Sequence, residues 1–406
     1  MPNDPPGDVG VSAVRPADGA PEASFAKELW ARGYTARTIE TKVYSLRAFE
    51  RWLAERGVAL DAVDERTIDA FLRTQPDGPA RHHRTLCDFL AHLRAGGRAA
   101  WPPVTPPSRL DAWVERYVRH LRVERGACQT TIETHVALAR PFLEQHVCAD
   151  GSLALTAADI TAYLQREVQR RSPARAKHVV WVLRTLLRYL FQEGYTRDLS
   201  PAVLTVRDWR LTTVPKSLPP ADVERLLAAC PRDTATDRRD RAILLLLARL
   251  GLRAGEVVAL ELDDIDWRAG TLTIRAKKGL RQEPLPLPVD VGQALATYLR
   301  RDRPVGAGRR VFLRVRAPRG GFRSAGGVAS VVQKALARAG LHPARRGAHL
   351  LRHSLAVRML GHGASLGEIG AVLRHRGAAT TEIYAKVDLE RLRVVVQPWP
   401  GSGGVQ

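Results

Sequence analysis

The sequence predicts a mainly α chain with a small antiparallel β-sheet, in which two helical domains precede a mixed α+β domain. Three observations carry that expectation. Apolar residues recur every three to four positions, one segment repeats another, and a single alternating stretch is folded about a Lys-Gly turn.

Residues 1–22 are rich in Pro, Gly, Asp and Ala without periodicity and are expected to be a disordered tail. A helical domain follows over 23–107, where Thr38, Ile39, Val43, Leu46, Phe49, Trp52 and Leu53 keep i, i+3/i+4 spacing. The run WPPVTPPS at 101–108 ends it, because its four prolines cannot continue a helix. The second helical domain, 108–214, copies the first: RGYTARTIETKVYSLRAF at 32–49 aligns with RGACQTTIETHVALARPF at 125–142 at a constant offset of 93. Further matches at offsets of 92 (Ile68 with Ile160) and 100 (Thr85 with Thr185) are what loop insertions leave in a duplicated domain. Tyr44, Tyr117, Tyr163, Tyr189 and Tyr195 fall at helical spacings in these two copies and are expected to pack.

The third domain, 215–406, opens after LTTVPKSLPP at 211–220. Helices are expected at 221–230 and 237–250, the second stopping at Gly251, then a further short helix and a β-hairpin over 269–288 whose turn holds Lys277, Lys278 and Gly279. Helices return at 290–300, 327–339, 349–360 and 366–373, with a short one at 380–384.

Charge narrows the partner. Lys and Arg number 63 against 42 Asp and Glu, a formal charge of +21, and only eight of the cations are lysines. Residues 1–107 hold 14 basic and 14 acidic residues, 108–214 hold 16 and 11, and 215–406 hold 33 and 17, so the excess is concentrated in the third domain. Arginine forks pair bidentately with phosphate oxygens, which makes an anionic polymer the natural partner. The longest apolar run, 242–248, is too short for a membrane span, and no basic, apolar leader opens the chain. Cys87, Cys128, Cys148 and Cys230 form no CxxC pair and read as reduced thiols of a cytoplasmic protein. With no Walker A motif, HExxH or zinc-like spacing, no metal or cofactor is expected.

Five features of the third domain occur in order: Arg253 and Glu256 in GLRAGE, the hairpin lysines, His349 and Arg352 in HLLRHS, His375 in LRHRG, and Tyr384 in TTEIY. Together they resemble the tyrosine recombinase (phage integrase-like) family, across about 170 residues. The resemblance implies a SAM-like, core-binding-type fold for the helical domains and strand cleavage and rejoining of double-stranded DNA at recombination sites through a 3′-phosphotyrosyl intermediate.

It further implies that Tyr384 is the nucleophile, that Arg253 and Arg352 clamp the phosphate, and that a hairpin lysine protonates the 5′ oxygen. Alignment from Arg253 selects Lys277, whereas alignment from the following PLPLP selects Lys278, which directly precedes Gly279. His349 is expected to serve the tyrosine as acid/base, His375 to donate to the phosphate, and Glu256 and His353 to support them. Arg374 stands where the family commonly has Gly.

Nine arginines lie between Arg300 and Arg323, among them Arg301, Arg303, Arg309 and Arg310, and these are expected to touch the DNA backbone. Integration of a mobile element through a Holliday junction, by a nucleoid-associated homotetramer whose tail (389–406) docks on a neighbouring protomer, completes the expectation. The alternatives are a type IB topoisomerase-like enzyme and a non-catalytic DNA-binding protein retaining the fold.

Overall fold

A computed structural model of the chain describes residues 21–75, 80–101, 108–148, 150–205, 215–275, 283–304, 308–375, 377 and 380–387. It divides into two compact units: Trp101–Trp209 make one, and the chain on either side of that segment makes the other.

The first four helices are α1 (Pro21–Ala31), α2 (Ala36–Glu55), α3 (Glu65–Arg73) and α4 (Ala80–Ala95). Phe25, Leu29, Leu46, Phe49, Ile68, Phe71 and Phe89 form their shared core. α1 therefore starts inside the stretch expected to be tail, because Phe25 has a core to enter.

The second unit repeats this order with α5 (Arg109–Val123), α6 (Gln129–His146), α7 (Ala157–Arg170) and α8 (Pro173–Gln192). The repeat extends to the helix starts. Thr35 and Cys128 stand at the N-caps of α2 and α6, and Asp64 and Thr156 at those of α3 and α7. Those pairs are separated by 128 − 35 = 93 and 156 − 64 = 92 residues. Asp64 and Thr156 each accept a backbone N–H three residues on, satisfying a donor that the first helical turn leaves open. Tyr117, Tyr163 and Tyr189 are buried in the second core, but Tyr44 on α2 and Tyr195 after α8 are 72% and 36% exposed, contrary to their expected packing.

The remaining helices are α9 (Pro220–Ala228), α10 (Ala235–Arg249) and α11 (Ala254–Ala259), followed after the sheet by α12 (Val289–Arg301), α13 (Ala325–Arg338), α14 (His349–Gly361) and α15 (Leu366–Leu373). α10 is buried over most of its circumference, as a helix carrying ILLLLA must be. The expected hairpin is the larger part of a three-stranded antiparallel sheet, β1 (Ile265–Asp266), β2 (Thr271–Ile274) and β3 (Glu283–Pro286), with Leu272 opposite Leu285. A second pair, β4 (Leu313–Arg314) and β5 (Gly320–Gly321), was not legible as strands, since two residues apiece show no alternation. A smaller cluster of Leu355, Ala356, Leu360, Ile369, Leu373 and Tyr384 packs α14 and α15 against a 3-10 turn, Glu382–Val387. Among the described residues, no helix is long and apolar enough to cross a membrane.

Candidate active site

α14 sets His349, Arg352 and His353 at i, i+3 and i+4, and so on one face. Arg352 is 3% exposed and donates from Nη1 to the Gly251 carbonyl and from Nη2 to the Leu373 carbonyl. Burial, reinforced by the charges of Arg253 and Arg374, lowers its pKa to about 10, which leaves it protonated at neutral pH. A guanidinium has five N–H donors, so two bonds to carbonyls fix its plane and leave donors over for an anion.

Gly251 closes α10 at φ +58, and a Cβ there would lie 2.7 Å from Leu373 Cδ2 and 2.9 Å from Leu355 Cδ2. Only glycine lets the chain turn at this point while α14 and α15 approach it. Two residues later Arg253 caps α11, and Glu256 accepts both its backbone N–H and its Nη1, each at 2.8 Å. The other contact to Glu256 comes from Arg374 Nη2, also at 2.8 Å, while the Arg374 carbonyl accepts Arg253 Nη2 at 3.0 Å. Burial pushes the Glu256 carboxyl up, but Arg374 and the bonds from Arg253 outweigh it and hold its pKa below the ordinary value.

The backbone at Arg374 is one that suits glycine. This residue is the C-cap of α15, at φ 54 and ψ 52, the left-handed region that costs an L-residue about 1–2 kcal/mol. Here the arginine offsets that cost by bridging to Glu256. Arg374→Gly is expected to leave stability within about 1 kcal/mol of wild type, strain relief balancing the missing ion pair. Any reaction that depends on Arg253 is expected to slow on the order of tenfold as that side chain loses its brace. Urea midpoints beside single-turnover rates check this; a variant as fast as wild type shows that Arg253 needs no such brace.

Tyr384 sits in the 3-10 turn with 1% of its surface exposed. Burial raises its pKa to about 12, against the lowering effect of Arg352. The imidazole that reaches its hydroxyl is His353, with Nδ1 2.7 Å from Oη. His349, expected from the sequence to serve the tyrosine, lies a turn earlier on α14, its ring centroid 6.3 Å from that of His353. Protein packed around the His349 ring lowers its pKa, as do Arg352 and Arg253. His375 stacks parallel to Tyr384, centroids 6.5 Å apart at 4°, and is oriented by Thr381 Oγ1 2.7 Å from its Nδ1. Neither Thr381 nor the brace made by Arg374 is expected from the sequence. The doubled Thr before Tyr384 is the available signal for the first.

His353 and His375 both have pKa values lowered to about 4, by burial first and then by neighbouring cations and imidazoles. Both rings are therefore neutral at pH 7. Unfolded histidine titrates near 6.5. The unfolded chain thus binds more protons across that interval, and stability present above pH 6.5 is lost as pH falls towards 4. Roughly 2 kcal/mol per ring is expected to disappear between pH 6.5 and 4.5. Urea unfolding at the two pH values measures it, and equal midpoints would refute the burial of these rings in the neutral form.

The remaining expected residues are dispersed. Lys277, Lys278 and the tail 389–406 lie outside the described residues. Of the arginine patch, Arg300 and Arg301 are exposed at the end of α12. Arg303 instead donates to the carbonyls of Gly308 and Arg310, Arg309 pairs with Asp263, and Arg310 donates to the Ala259 carbonyl and pairs with Glu261. Chemically, the centre offers two oriented guanidiniums and neutral imidazoles around one phenol. That set is suited to an anionic electrophile attacked by the phenol oxygen.

Residues 216–391 match the phage integrase family. Over 385 residues the chain is 42% identical to a putative integrase/recombinase of Sinorhizobium fredii, covering 93% of each. It is 32% identical over 311 residues to tyrosine recombinase XerD of Mycobacterium tuberculosis, covering 71% of this chain and 96% of the relative. The fold is similar to that of XerH site-specific recombinase bound to palindromic difH substrate, with TM-score 0.56 and 20% identity over 72% of this chain and 85% of that one. It is also similar to a lambda integrase (75–356) dimer bound to a COC′ core site, with TM-score 0.52 and 19% identity over 67% and 94%.

Proposed function

The chain belongs to the phage integrase family of tyrosine recombinases and is a site-specific recombinase, and from that premise we propose that Tyr384 cleaves one strand of duplex DNA at a recombination site. The observation that carries this reading is the meeting of Tyr384 with a neutral His353 beside the guanidiniums of Arg352 and Arg253.

Tyr384 Oη attacks the phosphorus, a P–O bond to it forms, and the P–O5′ bond breaks. The phenol proton passes to His353 Nδ1, an acceptor already in hydrogen-bond range. Arg253 and Arg352 balance the charge that grows on the non-bridging oxygens, where fixed donors act without reorganisation. His375 donates to the phosphate, and Lys278 or Lys277 supplies the proton that the departing 5′ oxygen takes up. His349 reaches the same phosphate from the first turn of α14. The resulting 3′-phosphotyrosyl ester keeps the energy of the broken bond, so attack by a 5′ hydroxyl of another strand rejoins DNA without a nucleotide cofactor.

Two duplexes exchange strands in this way within a homotetramer, through a Holliday junction, and the outcome is integration of a mobile element. A nicked suicide duplex tests the chemistry. The wild-type protein is expected to form a covalent adduct that survives denaturing electrophoresis, and its absence on a verified site overturns the proposal.

A further inference from the structure

The first helical copy, 23–107, carries 13 basic and 10 acidic residues, so bulk charge gives it little reason to hold an anion. Its surface is less even. A cleft of about 400 Å³ on α2 and α4 is lined by Arg37, Thr38, Thr41, Lys42, Ser45 and Thr85: hydroxyls and cations, with no carboxylate and no aromatic ring. Binding sites for small organic ligands are mostly apolar, whereas hydroxyls interleaved with cations suit phosphate oxygens.

Lys42 is half-buried. Its Nζ donates to Thr85 Oγ1 at 3.0 Å and lies 5.3 Å from the Tyr34 ring centroid, with no salt bridge to a carboxylate among the described residues. Burial lowers its pKa, Asp88 opposes this, and Arg32 and Arg84 lower it further. The fold does not require a cation there. At offset 93 the second copy has His135, a ring 1% exposed, hydrogen-bonded to the Tyr117 hydroxyl at 2.7 Å and with a pKa lowered to about 4 by burial. One copy closes the position with a neutral imidazole, and the other keeps an ammonium facing a cleft.

The β4–β5 hairpin adds to the same charge cluster. Arg319 donates its backbone N–H to the Arg32 carbonyl at 2.9 Å, and Gly33, at φ +81, leaves the space that the Arg319 side chain occupies. Burial lowers the pKa of Arg314 on this hairpin, and the charges of Arg323, Arg32 and Arg84 lower it further, with Tyr34 opposing. Arg314 Nε is buried with no hydrogen-bond partner among the described residues. Arg32 is paired with Glu28 at 3.2 Å, but Lys42 and Arg314 have no salt bridge to a carboxylate among the described residues, a costly arrangement for converging cations unless an anion joins them.

We propose that the α2–α4 cleft of the first copy, with Arg314 of the β4–β5 hairpin, grips the phosphate backbone of duplex DNA outside the cleavage site. This rests on the DNA reading above and adds a contact that the active site does not need. The cleft holds the backbone without reading bases, so its contribution is independent of sequence and strongly dependent on salt.

The test uses the full-length protein and a fluorescein-labelled duplex of random sequence, with anisotropy titrations between 50 and 200 mM NaCl. The triple variant Arg37→Gln/Lys42→Met/Arg314→Gln is expected to bind on the order of tenfold more weakly at 100 mM. Its slope of log affinity against log salt should be about 2–3 smaller in magnitude, near 0.9 for each phosphate that is no longer neutralised. Lys42→Arg should keep the wild-type slope. Lys42→His at pH 7.5 puts the second copy's residue in place and should lower the slope by about 1, which holds the test open if the triple variant does not fold. Wild-type affinity and slope in Lys42→His or the folded triple variant overturn this inference alone. A wild-type protein that binds no duplex overturns the DNA reading together with it.

Discussion

Tyr384→Phe is expected to bind duplex DNA like wild type and to yield no covalent adduct on a nicked suicide substrate, a loss of at least about 10⁴-fold in cleavage. The substitution removes only Oη. The ring that packs among Leu355, Ala356, Leu360, Ile369 and Leu373 is kept, and so is its stacking on His375. What the fold loses is the hydrogen bond to His353 Nδ1, worth about 1 kcal/mol, so the variant remains folded at room temperature. The phenols of Tyr117, Tyr163 and Tyr189 cannot substitute for it, because they are buried in a separate core. An adduct formed by the folded Phe variant would place the nucleophile elsewhere. The same substrate separates the histidines. If His353 takes the phenol proton, His353→Gln slows adduct formation and flattens its rise with pH, while His349→Gln leaves the shape of that profile as it is.

Helix spacing made much of this centre legible in advance, and the reason is geometric. His349, Arg352 and His353 must share a face because α14 is regular, and Arg253 must lie near the end of α10 because Gly251 stops that helix two residues earlier. Which imidazole meets the phenol was not legible. That depends on how the 3-10 turn Glu382–Val387 approaches α14, a tertiary fact that no local period records. The intramolecular partners of Arg309 and Arg310 were hidden for the same reason, since Asp263 and Ala259 are more than forty residues away. Charge counting was blind in a different way. A total of zero over residues 1–107 conceals a cleft lined by Arg37 and Lys42 and by no carboxylate.

Gly251→Ala is expected to destabilise the third domain by roughly 2–4 kcal/mol and to lower the cleavage rate of the folded fraction about a hundredfold. The stability cost has two sources. An L-residue at φ +58 costs about 1 kcal/mol or more, and the new methyl at 2.7 Å from Leu373 and 2.9 Å from Leu355 forces a repacking. The catalytic cost follows from what hangs on these atoms. The Gly251 carbonyl and the Leu373 carbonyl are the two acceptors that fix Arg352, and Arg374, which braces Glu256 and hence Arg253, directly follows Leu373. One methyl group therefore disturbs both arginines, although its own contact with them is no more than 3.8 Å to Arg352 Cγ. Urea midpoints and single-turnover adduct rates measure the two effects. A double-mutant cycle with Leu373→Ala isolates the steric part, because shortening Leu373 makes room for the methyl. The double variant should be less destabilised than the sum of the two singles by about 1 kcal/mol or more. Strict additivity would show that the cost arises from the backbone angle or from Leu355, and that the contact between Gly251 and Leu373 does not set the position of Arg352.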